Sequence, residues 1–206
     1  FNSLQMGMVA AERIFEILET HSNIEDKGKL KPSQINGDIC LEKLGFSYTQ
    51  GERIINDISL EIKSGETIAL VGATGAGKST IINLISRFYE FDSGDITIDG
   101  ISIRKYDLKS LRNQVSVVLQ DVFLFADSLF NNITLFDSRI SKDKVIKAAK
   151  NIGVHDFIES LPNGYDYNVK ERGAMLSTGQ RQLIAFLRAY ISEPSILVLD
   201  EATSSV

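Results

Sequence analysis

The stretch IALVGATGAGKST, residues 68–80, decides the fold class of this chain. It begins with an apolar run of the kind that a β-strand buried on both faces shows. A glycine-rich turn follows, and a helix is predicted from about Lys78 to Phe88. The sequence therefore predicts a strand, a tight loop and a helix in immediate succession, which is the local order of an α/β protein.

The loop within this stretch satisfies the pattern GxxxxGK[ST], which binds phosphates. Its glycines let the backbone N–H groups curl around an anion, and the following helix adds the positive end of its dipole. Lys78 is expected to reach the β- and γ-phosphates of a nucleotide, and Ser79 to offer its hydroxyl to Mg²⁺. A glycine turn with a surface lysine is the alternative, which the predicted strand and helix argue against. The candidate nucleotide-binding residues are Gly72, Ala73, Thr74, Gly75, Ala76, Gly77, Lys78, Ser79 and Thr80.

A second apolar run, Ile196 to Leu199, ends in two carboxylates, Asp200 and Glu201. Ligands of open α/β sheets bind at the carboxyl ends of the strands. We therefore expect Asp200 to help hold the Mg²⁺ bound by Ser79, and Glu201 to be the general base that activates water. An acidic pair after a strand is often only a strand end that meets solvent. Its combination with the phosphate loop favours the functional interpretation.

The third motif, LSTGQ at residues 176–180, immediately precedes a predicted helix. Ser177 and the backbone N–H of Gly179 can bind an anion there with help from the helix dipole. A serine cap that only starts the helix is the simpler alternative when the motif is taken by itself.

In their order along the chain, GATGAGKST, LSTGQ and ILVLDEATS resemble the motifs of an ABC-type ATPase. The resemblance implies an α/β fold: a P-loop NTPase with a RecA-like core, an antiparallel β subdomain and an inserted α-helical subdomain at about 121–190. It implies ATP and Mg²⁺ as ligands. It also implies that Ser177, Gly179 and Gln180 serve an ATP held by a second nucleotide-binding domain, in a homodimer or a heterodimer.

Two further residues take their roles from this resemblance. Gln120, at the end of a predicted strand, matches the Q-loop glutamine that contacts the metal or the attacking water, and Tyr48 matches the aromatic residue that stacks on adenine. Taken alone, they are a polar strand end and a core or edge-strand aromatic. Thr178 departs from the family pattern LSGGQ, and we expect the departure to weaken this half-site. Leu183 stands where a basic residue is more usual.

Periodicity and turn signals predict the remaining elements. The predicted strands are 39–48 and 58–62 as an antiparallel pair, 95–103 as a hairpin, and 115–119. The predicted helices are one capped by Ser141, one over 154–160, and one over about 180–191 that ends before Pro194.

The first 37 residues form a separate segment in this prediction. Leu4, Met8, Ala11, Phe15 and Leu18 fall at helical spacing. Periodicity alone favours a helix packed on its own domain, whereas AAERIFEILE resembles the cytoplasmic end of the last membrane helix of an ABC exporter. On that resemblance, residues 1–37 end a transmembrane domain of the same polypeptide and continue as a polar linker. Residues 38–206 then form the nucleotide-binding domain, on the cytoplasmic side of the membrane.

The resemblance also implies a D-loop aspartate directly after Val206 and a switch histidine further on, for which His21 and His155 are wrongly placed. The domain is therefore expected to be incomplete at its C-terminal end. A regulatory half of a heterodimer, which binds ATP with little hydrolysis, is the alternative function. Lys78 and Glu201 argue against this alternative, and Thr178 keeps it open.

The composition narrows the remaining classes of protein. The chain has 206 residues, 43% of them hydrophobic and 24% charged, as is ordinary for a globular domain. A net charge of −5 leaves no broad basic surface, so no nucleic-acid partner is expected. Cys40 is the single cysteine, which excludes a disulfide within the chain. No apolar run reaches the roughly 18 residues that a membrane-spanning helix needs.

Overall fold

The computed structural model describes residues 2–20, 24, 26–49, 51–119 and 121–200. The strands are β1 (Ile39–Ser47), β2 (Arg53–Ile62), β3 (Ser93–Ile98), β4 (Ile101–Ser102), β5 (Val115–Val118) and β6 (Ile196–Leu199). The α-helices are α1 (Asn2–Glu19), α2 (Lys78–Ile85), α3 (Leu108–Gln114), α4 (Leu129–Thr134), α5 (Lys142–Asn151), α6 (His155–Glu159) and α7 (Thr178–Ile191). The region from α4 to α7 is thus helical, and strand β6 follows it in the chain.

An antiparallel sheet with the strand order β2-β1-β3-β4 forms the first half of the domain. Leu41 of β1 lies opposite Leu60 of β2 on one side and Ile96 of β3 on the other. The predicted antiparallel pair and hairpin are therefore confirmed. β2 begins at Arg53, earlier than predicted, and its fully buried Ile55 anchors this additional stretch in the core.

The strands β5 and β6 pair in parallel, with Val117 opposite Val198. The backbone N–H of Asp200 continues the pairing by donating to the carbonyl of Val118 at 2.9 Å. Ile196 and Val198 pack against the core that contains the antiparallel sheet, whereas Leu197 and Leu199 are exposed. β6 is therefore partly buried on one face and exposed on the other.

The apolar run that precedes the glycine-rich loop differs from the prediction. Residues 68–72 have no regular secondary structure, Ile68 and Leu70 are exposed, and Val71 is 93% exposed. The prediction of a strand buried on both faces is wrong for this structure. The physical reason is that a parallel strand obtains its hydrogen bonds from strands distant in sequence. The parallel ladder that the structure describes joins β5 to β6 and does not reach residues 68–72.

A second hydrophobic core fills the helical region, as the insertion at about 121–190 predicts. Its fully buried members include Leu129, Val145, Ile158 and Ile184, which come from α4, α5, α6 and α7. α5 begins where Ser141 predicts, because the Ser141 hydroxyl accepts a hydrogen bond from the backbone N–H of Lys144. The helical subdomain thus has a core distinct from that of the sheets.

The side chains of helix α1 are largely exposed and are not part of the hydrophobic cores of the described residues. Its side chains from residue 5 onward are exposed except for the partly buried Ala11; Met6, Ile17 and Leu18 are each more than 70% exposed. The prediction from periodicity alone, a helix packed on its own domain, is therefore wrong. Among the described residues, no helix combines the length and apolar character required to cross a membrane.

The segment after α1 is fastened to the sheet region by its backbone. The Asp99 carboxylate, in the turn between β3 and β4, accepts hydrogen bonds from the N–H groups of Asn36, Gly37 and Asp38 at 2.7 to 3.0 Å. Leu30 donates to the carbonyl of Lys105. The end of the polar segment is therefore held against the β3–β4 turn, next to the start of β1.

Candidate functional site

The glycine-rich loop leads directly into α2, which begins at Lys78. Gly75 and Gly77 have φ angles of 83° and 87°, in the left-handed region that residues with a side chain rarely adopt. A Cβ atom at Gly77 would also lie 2.7 Å from Cδ1 of Ile55, which is too close without a shift. The first turn of α2, which the structure describes completely, holds no acidic side chain. This end of α2 is therefore electropositive and suited to phosphate.

The ammonium group of Lys78 lies against the loop that precedes it. Its Nζ atom donates to the carbonyl oxygen of Gly72 at 2.8 Å and to that of Ala73 at 3.1 Å. Both acceptors are neutral backbone carbonyls, so the positive charge remains uncompensated within the loop. Lys78 is thus placed to contact an anion that the loop encloses.

The hydroxyl of Ser79 meets the carboxylate of Asp200, 121 positions later in the chain. Its Oγ atom lies 3.1 Å from Oδ2 and 3.5 Å from Oδ1 of Asp200. A hydroxyl and a carboxylate are oxygen ligands of the kind that Mg²⁺ takes. Among the described residues, no three or more His, Cys, Asp or Glu side chains form a metal-binding group. The pair therefore fits a Mg²⁺ ion that obtains its other ligands from phosphate and water.

An aromatic group stands beside the same helix. Tyr48 is 48% exposed, and its ring meets Phe46 and Tyr89 edge to face at centroid distances of 4.8 and 5.0 Å. Its hydroxyl forms a 3.1 Å hydrogen bond with Oγ1 of the buried Thr80. The ring is thus fixed at both ends and leaves part of its surface open for stacking.

Gln120 and Glu201 lie outside the described residues, so their roles stay predictions. Their neighbours are described on the chain side that precedes them: Leu119 follows β5, and Asp200 follows β6. Because β5 and β6 pair in parallel register, Leu119 and Asp200 both come directly after the carboxyl ends of these strands.

The LSTGQ segment forms the N-terminal end of α7. The Ser177 hydroxyl accepts from the backbone N–H of Gln180 at 3.2 Å, and the Gln180 side chain accepts from the N–H of Ser177 at 2.9 Å. This is a capping box, so Ser177 does act as a serine cap that starts the helix. The hydroxyl of Ser177 still has its own proton to donate, because a serine oxygen can accept and donate at once. Capping and anion binding are therefore compatible.

The LSTGQ segment and the glycine-rich loop are not joined within this chain. In the part of the chain that the structure describes, no hydrogen bond connects residues 176–180 with residues 72–80. The segment is exposed at Ser177 and Thr178.

Arg188 supports the stretch that follows Gln120. It donates from Nε to the carbonyl of Asn132 at 2.9 Å and from its terminal nitrogens to that of Phe123 at 3.4 Å. Burial lowers the pKa of Arg188. Asn132 is fully buried and bonds with both backbone groups of Phe125. α4 and α7 together therefore fix the conformation of residues 123–125.

Sequence reasoning missed two residues of these groups. Tyr89 packs against Tyr48, and Arg181 donates to the carbonyl of Leu176 and to the hydroxyl of Thr178. Tyr89 was recognisable only as an aromatic residue after α2. Arg181 was recognisable as a cation directly after LSTGQ, near the positive end of the helix dipole, where a cation is unfavourable without a reason.

Comparison with known proteins places these features in a family. The family profile described as ABC transporter matches residues 55–204, which contain the loop, the LSTGQ segment and Asp200. The chain belongs to the ABC transporter family. The prediction of an ABC-type P-loop NTPase fold is therefore confirmed.

Curated relatives of this ABC transporter chain are full-length proteins about three times as long. An uncharacterized ABC transporter ATP-binding protein, YknV of Bacillus subtilis, is 46% identical over 100% of this chain and 34% of its own length. An ATP-dependent lipid A-core flippase of Albidiferax ferrireducens is 45% identical over 99% of this chain and 35% of its own length. The chain thus spans about a third of the relatives that it matches.

A solved structure agrees with these relatives. A bacterial Atm1-family ABC exporter with ATP bound superposes on this ABC transporter chain with a TM-score of 0.90 and 36% identity. The match covers 98% of this chain and 36% of that one. The fold described above is thus that of a region within an ABC exporter.

Proposed function

We propose that this chain is the ATP-binding and ATP-hydrolysing domain of an ABC exporter, in which ATP-driven pairing of two such domains moves substrate across a membrane. The observation that carries the proposal is the contact of Ser79 with Asp200 beside the ammonium of Lys78. Two motifs that are far apart in sequence, the glycine-rich loop and the strand end at Asp200, thereby supply a cation, an electropositive helix end and oxygen ligands at one place. The ATP-bound exporter with the same fold supports the choice of nucleotide.

The residues of this chain have distinct tasks in this proposal. The loop amides and Lys78 bind the β- and γ-phosphates of ATP, and Tyr48 stacks on the adenine ring. Ser79 and Asp200 hold Mg²⁺, and Gln120 is assigned to contact the metal or the attacking water. Bound there, Mg²⁺ would neutralise charge on the phosphate oxygens. Glu201 takes a proton from the attacking water.

A second nucleotide-binding domain completes the site in this proposal. Among the residues that the structure describes, the LSTGQ segment forms no hydrogen bond to the loop of its own chain, and we assign Ser177, Gly179 and Gln180 to ATP on the partner. The partner is a second copy of this chain or a related domain. The regulatory alternative is not favoured, because Lys78, Ser79 and Asp200 keep the arrangement of a working site.

Steady-state ATP hydrolysis by the complete polypeptide in membranes tests the function. Mg²⁺-dependent release of phosphate that rises with ATP and saturates is expected. A protein that binds ATP and pairs its domains without measurable turnover would instead support the regulatory alternative.

Removal of the Tyr48 ring is expected to weaken ATP binding. Tyr48→Ala should raise the Kd for ATP about 5- to 150-fold, because stacking on a base contributes about 1 to 3 kcal/mol. Tyr48→Phe keeps the ring and should change the Kd by about threefold or less, since only the hydrogen bond to Thr80 is lost. Calorimetric titration with ATP measures both variants.

Inorganic triphosphate provides the matched ligand for this test. Its affinity should be the same for wild type and Tyr48→Ala, because it has no base to stack. An equal loss of affinity for ATP and triphosphate would contradict the assignment of Tyr48 to adenine.

A surface for the membrane domain is proposed at three exposed phenylalanines, here named the aromatic patch: Phe123, Phe125 and Phe136. They are 44 to 56% exposed and meet in edge-to-face contacts at 5.2 and 6.0 Å. Arg188 and Asn132 hold the first two rigidly, in the stretch that follows the metal-site residue Gln120. Large, rigid, exposed aromatics are typical of the centre of an interface.

Phe125→Ser in the full-length protein is expected to reduce coupling between ATP and the membrane helices. Loss of an aromatic anchor costs more than about 1 kcal/mol, so the equilibrium constant for the ATP-driven shift of the membrane helices should fall at least about fivefold. Distances between spin labels on the membrane helices, with and without ATP, measure this shift. Phe88→Ser, at a similarly exposed aromatic outside the patch, is the control. A full-size response in Phe125→Ser would remove the patch from the interface.

A further inference from the structure

The first turn of α7 divides its hydrogen-bonding groups into two sets. The capping box uses the backbone N–H groups of Ser177 and Gln180. The N–H groups of Thr178 and Gly179 have no acceptor among the described residues. Together with the proton of the Ser177 hydroxyl, they provide three donors at the positive end of a helix. An anion bound there contacts residues 177–179.

Arg181, one turn further along α7, lies at the same end. Its guanidinium donates to the carbonyl of Leu176 at 2.7 Å and to Oγ1 of Thr178 at 3.2 Å. The stem of Arg181 passes across Gly173, where a Cβ atom would lie 3.2 Å from its Cδ. Gly173 has a φ angle of 68°, which favours glycine and leaves room for this stem. The guanidinium of Arg181 is thus held by two acceptors at the start of α7.

The geometry points to Thr178 as a positioning residue that fixes Arg181 beside the phosphate-binding end of α7, and so strengthens the grip of the LSTGQ segment on ATP. The inference rests on the proposed function and adds a role for the residue that departs from LSGGQ. A glycine at position 178 has no hydroxyl, so Arg181 would keep only the carbonyl of Leu176 as an acceptor. Thr178 is therefore expected to strengthen ATP binding by the LSTGQ segment, which is opposite to the weakening that the sequence alone suggests.

Both electrostatics and side-chain entropy explain why a fixed Arg181 strengthens ATP binding. A free arginine side chain samples many rotamers, and a second acceptor reduces that freedom. A guanidinium that is already fixed near the three donors attracts the γ-phosphate of the partner's ATP without reorganisation. The role of the Thr178 hydroxyl in this proposal is to hold Arg181 in position.

The test uses the full-length protein in membranes and compares Thr178→Ser, Thr178→Val and Thr178→Gly with wild type. Thr178→Val and Thr178→Gly should raise the KM for ATP about 3- to 10-fold, the effect of one charge-assisted hydrogen bond weakened by the exposure of Thr178 to solvent. kcat should change by about twofold or less, since the interaction is present before the reaction. Thr178→Ser, which keeps the hydroxyl, should match wild type.

A double-mutant cycle links the effect to Arg181. Arg181→Met keeps the stem over Gly173 and removes the charge. Thr178→Val should then add nothing to Arg181→Met, because the two residues act as one unit. The effect of Thr178→Val should also shrink at high salt, as an effect carried by a fixed charge does.

Several outcomes would overturn the inference: a lower KM in Thr178→Gly, additive effects in the cycle, or a Thr178→Ser variant that behaves like Thr178→Val. A parallel loss of kcat and thermal stability in Thr178→Val would assign the residue a merely structural role. ATP-dependent association of the two domains, followed by labels on each, measures the same affinity without turnover. Absence of hydrolysis in wild type would therefore count against the proposed function, while the association data still decide the role of Thr178.

Discussion

Glu201→Gln in the full-length protein is expected to slow ATP turnover by about 100- to 10,000-fold while ATP still binds. The range is that of a lost general base. Asp200, the residue before it, is held by the carbonyl of Val118 and by Ser79. Glu201 is the next residue in the sequence after the proposed metal ligand Asp200. We assign it as the base that the attacking water needs. The substitution removes the basic oxygen and keeps the size of the side chain.

Single-turnover hydrolysis and equilibrium ATP binding, measured on the same preparation, separate chemistry from binding. Glu193→Gln is the matched control, since Glu193 is a carboxylate that pairs with Lys144 after α7, away from the loop. Its turnover should equal that of wild type. Unimpaired ATPase activity in Glu201→Gln would remove this residue from the mechanism.

Lys78→Ala is expected to abolish most of the affinity for ATP, and not only to slow ATP hydrolysis. The ammonium is the cation that the structure places against the loop carbonyls of Gly72 and Ala73, next to the end of α2. Hydrogen bonds of a charged group contribute about 1.5 to 3 kcal/mol, so the Kd for ATP should rise about 10- to 150-fold. Binding is measured by calorimetry, with inorganic triphosphate as a second ligand.

Triphosphate should lose as much affinity as ATP, because Lys78 contacts phosphates and not the base. This is the opposite of the pattern expected for Tyr48→Ala, so the two variants check each other. Lys147→Ala, at an exposed lysine of α5, is the control for loss of a surface charge. A Lys78→Ala protein with wild-type affinity would contradict the phosphate-loop assignment.

The local elements were predictable where a residue acts on its neighbours. Ser141 starts α5 because its hydroxyl bonds three residues ahead, and Ser177 starts α7 in the same way. The pairing of β1 with β2 follows from alternating residues and a short turn between them. In each case the deciding interaction spans few residues.

The prediction was wrong where burial depends on distant partners. The run at 68–72 is as apolar as a buried strand, but its place depends on a parallel ladder that its own sequence does not specify. α1 has a helical apolar stripe, yet nothing in its periodicity says what covers the stripe. An apolar pattern indicates a face to be buried and not the surface that buries it.

The sequence by itself determined the chemistry of the candidate site, because the glycine loop, the acidic pair and LSTGQ each require particular residue types at fixed spacing. Only the tertiary structure decided which of these groups meet. It brings Ser79 to Asp200 across 121 positions and fixes Tyr48 on Thr80 across 32. Spacing along the chain limits local geometry, whereas contacts between distant residues depend on how the two cores and the parallel pair pack together.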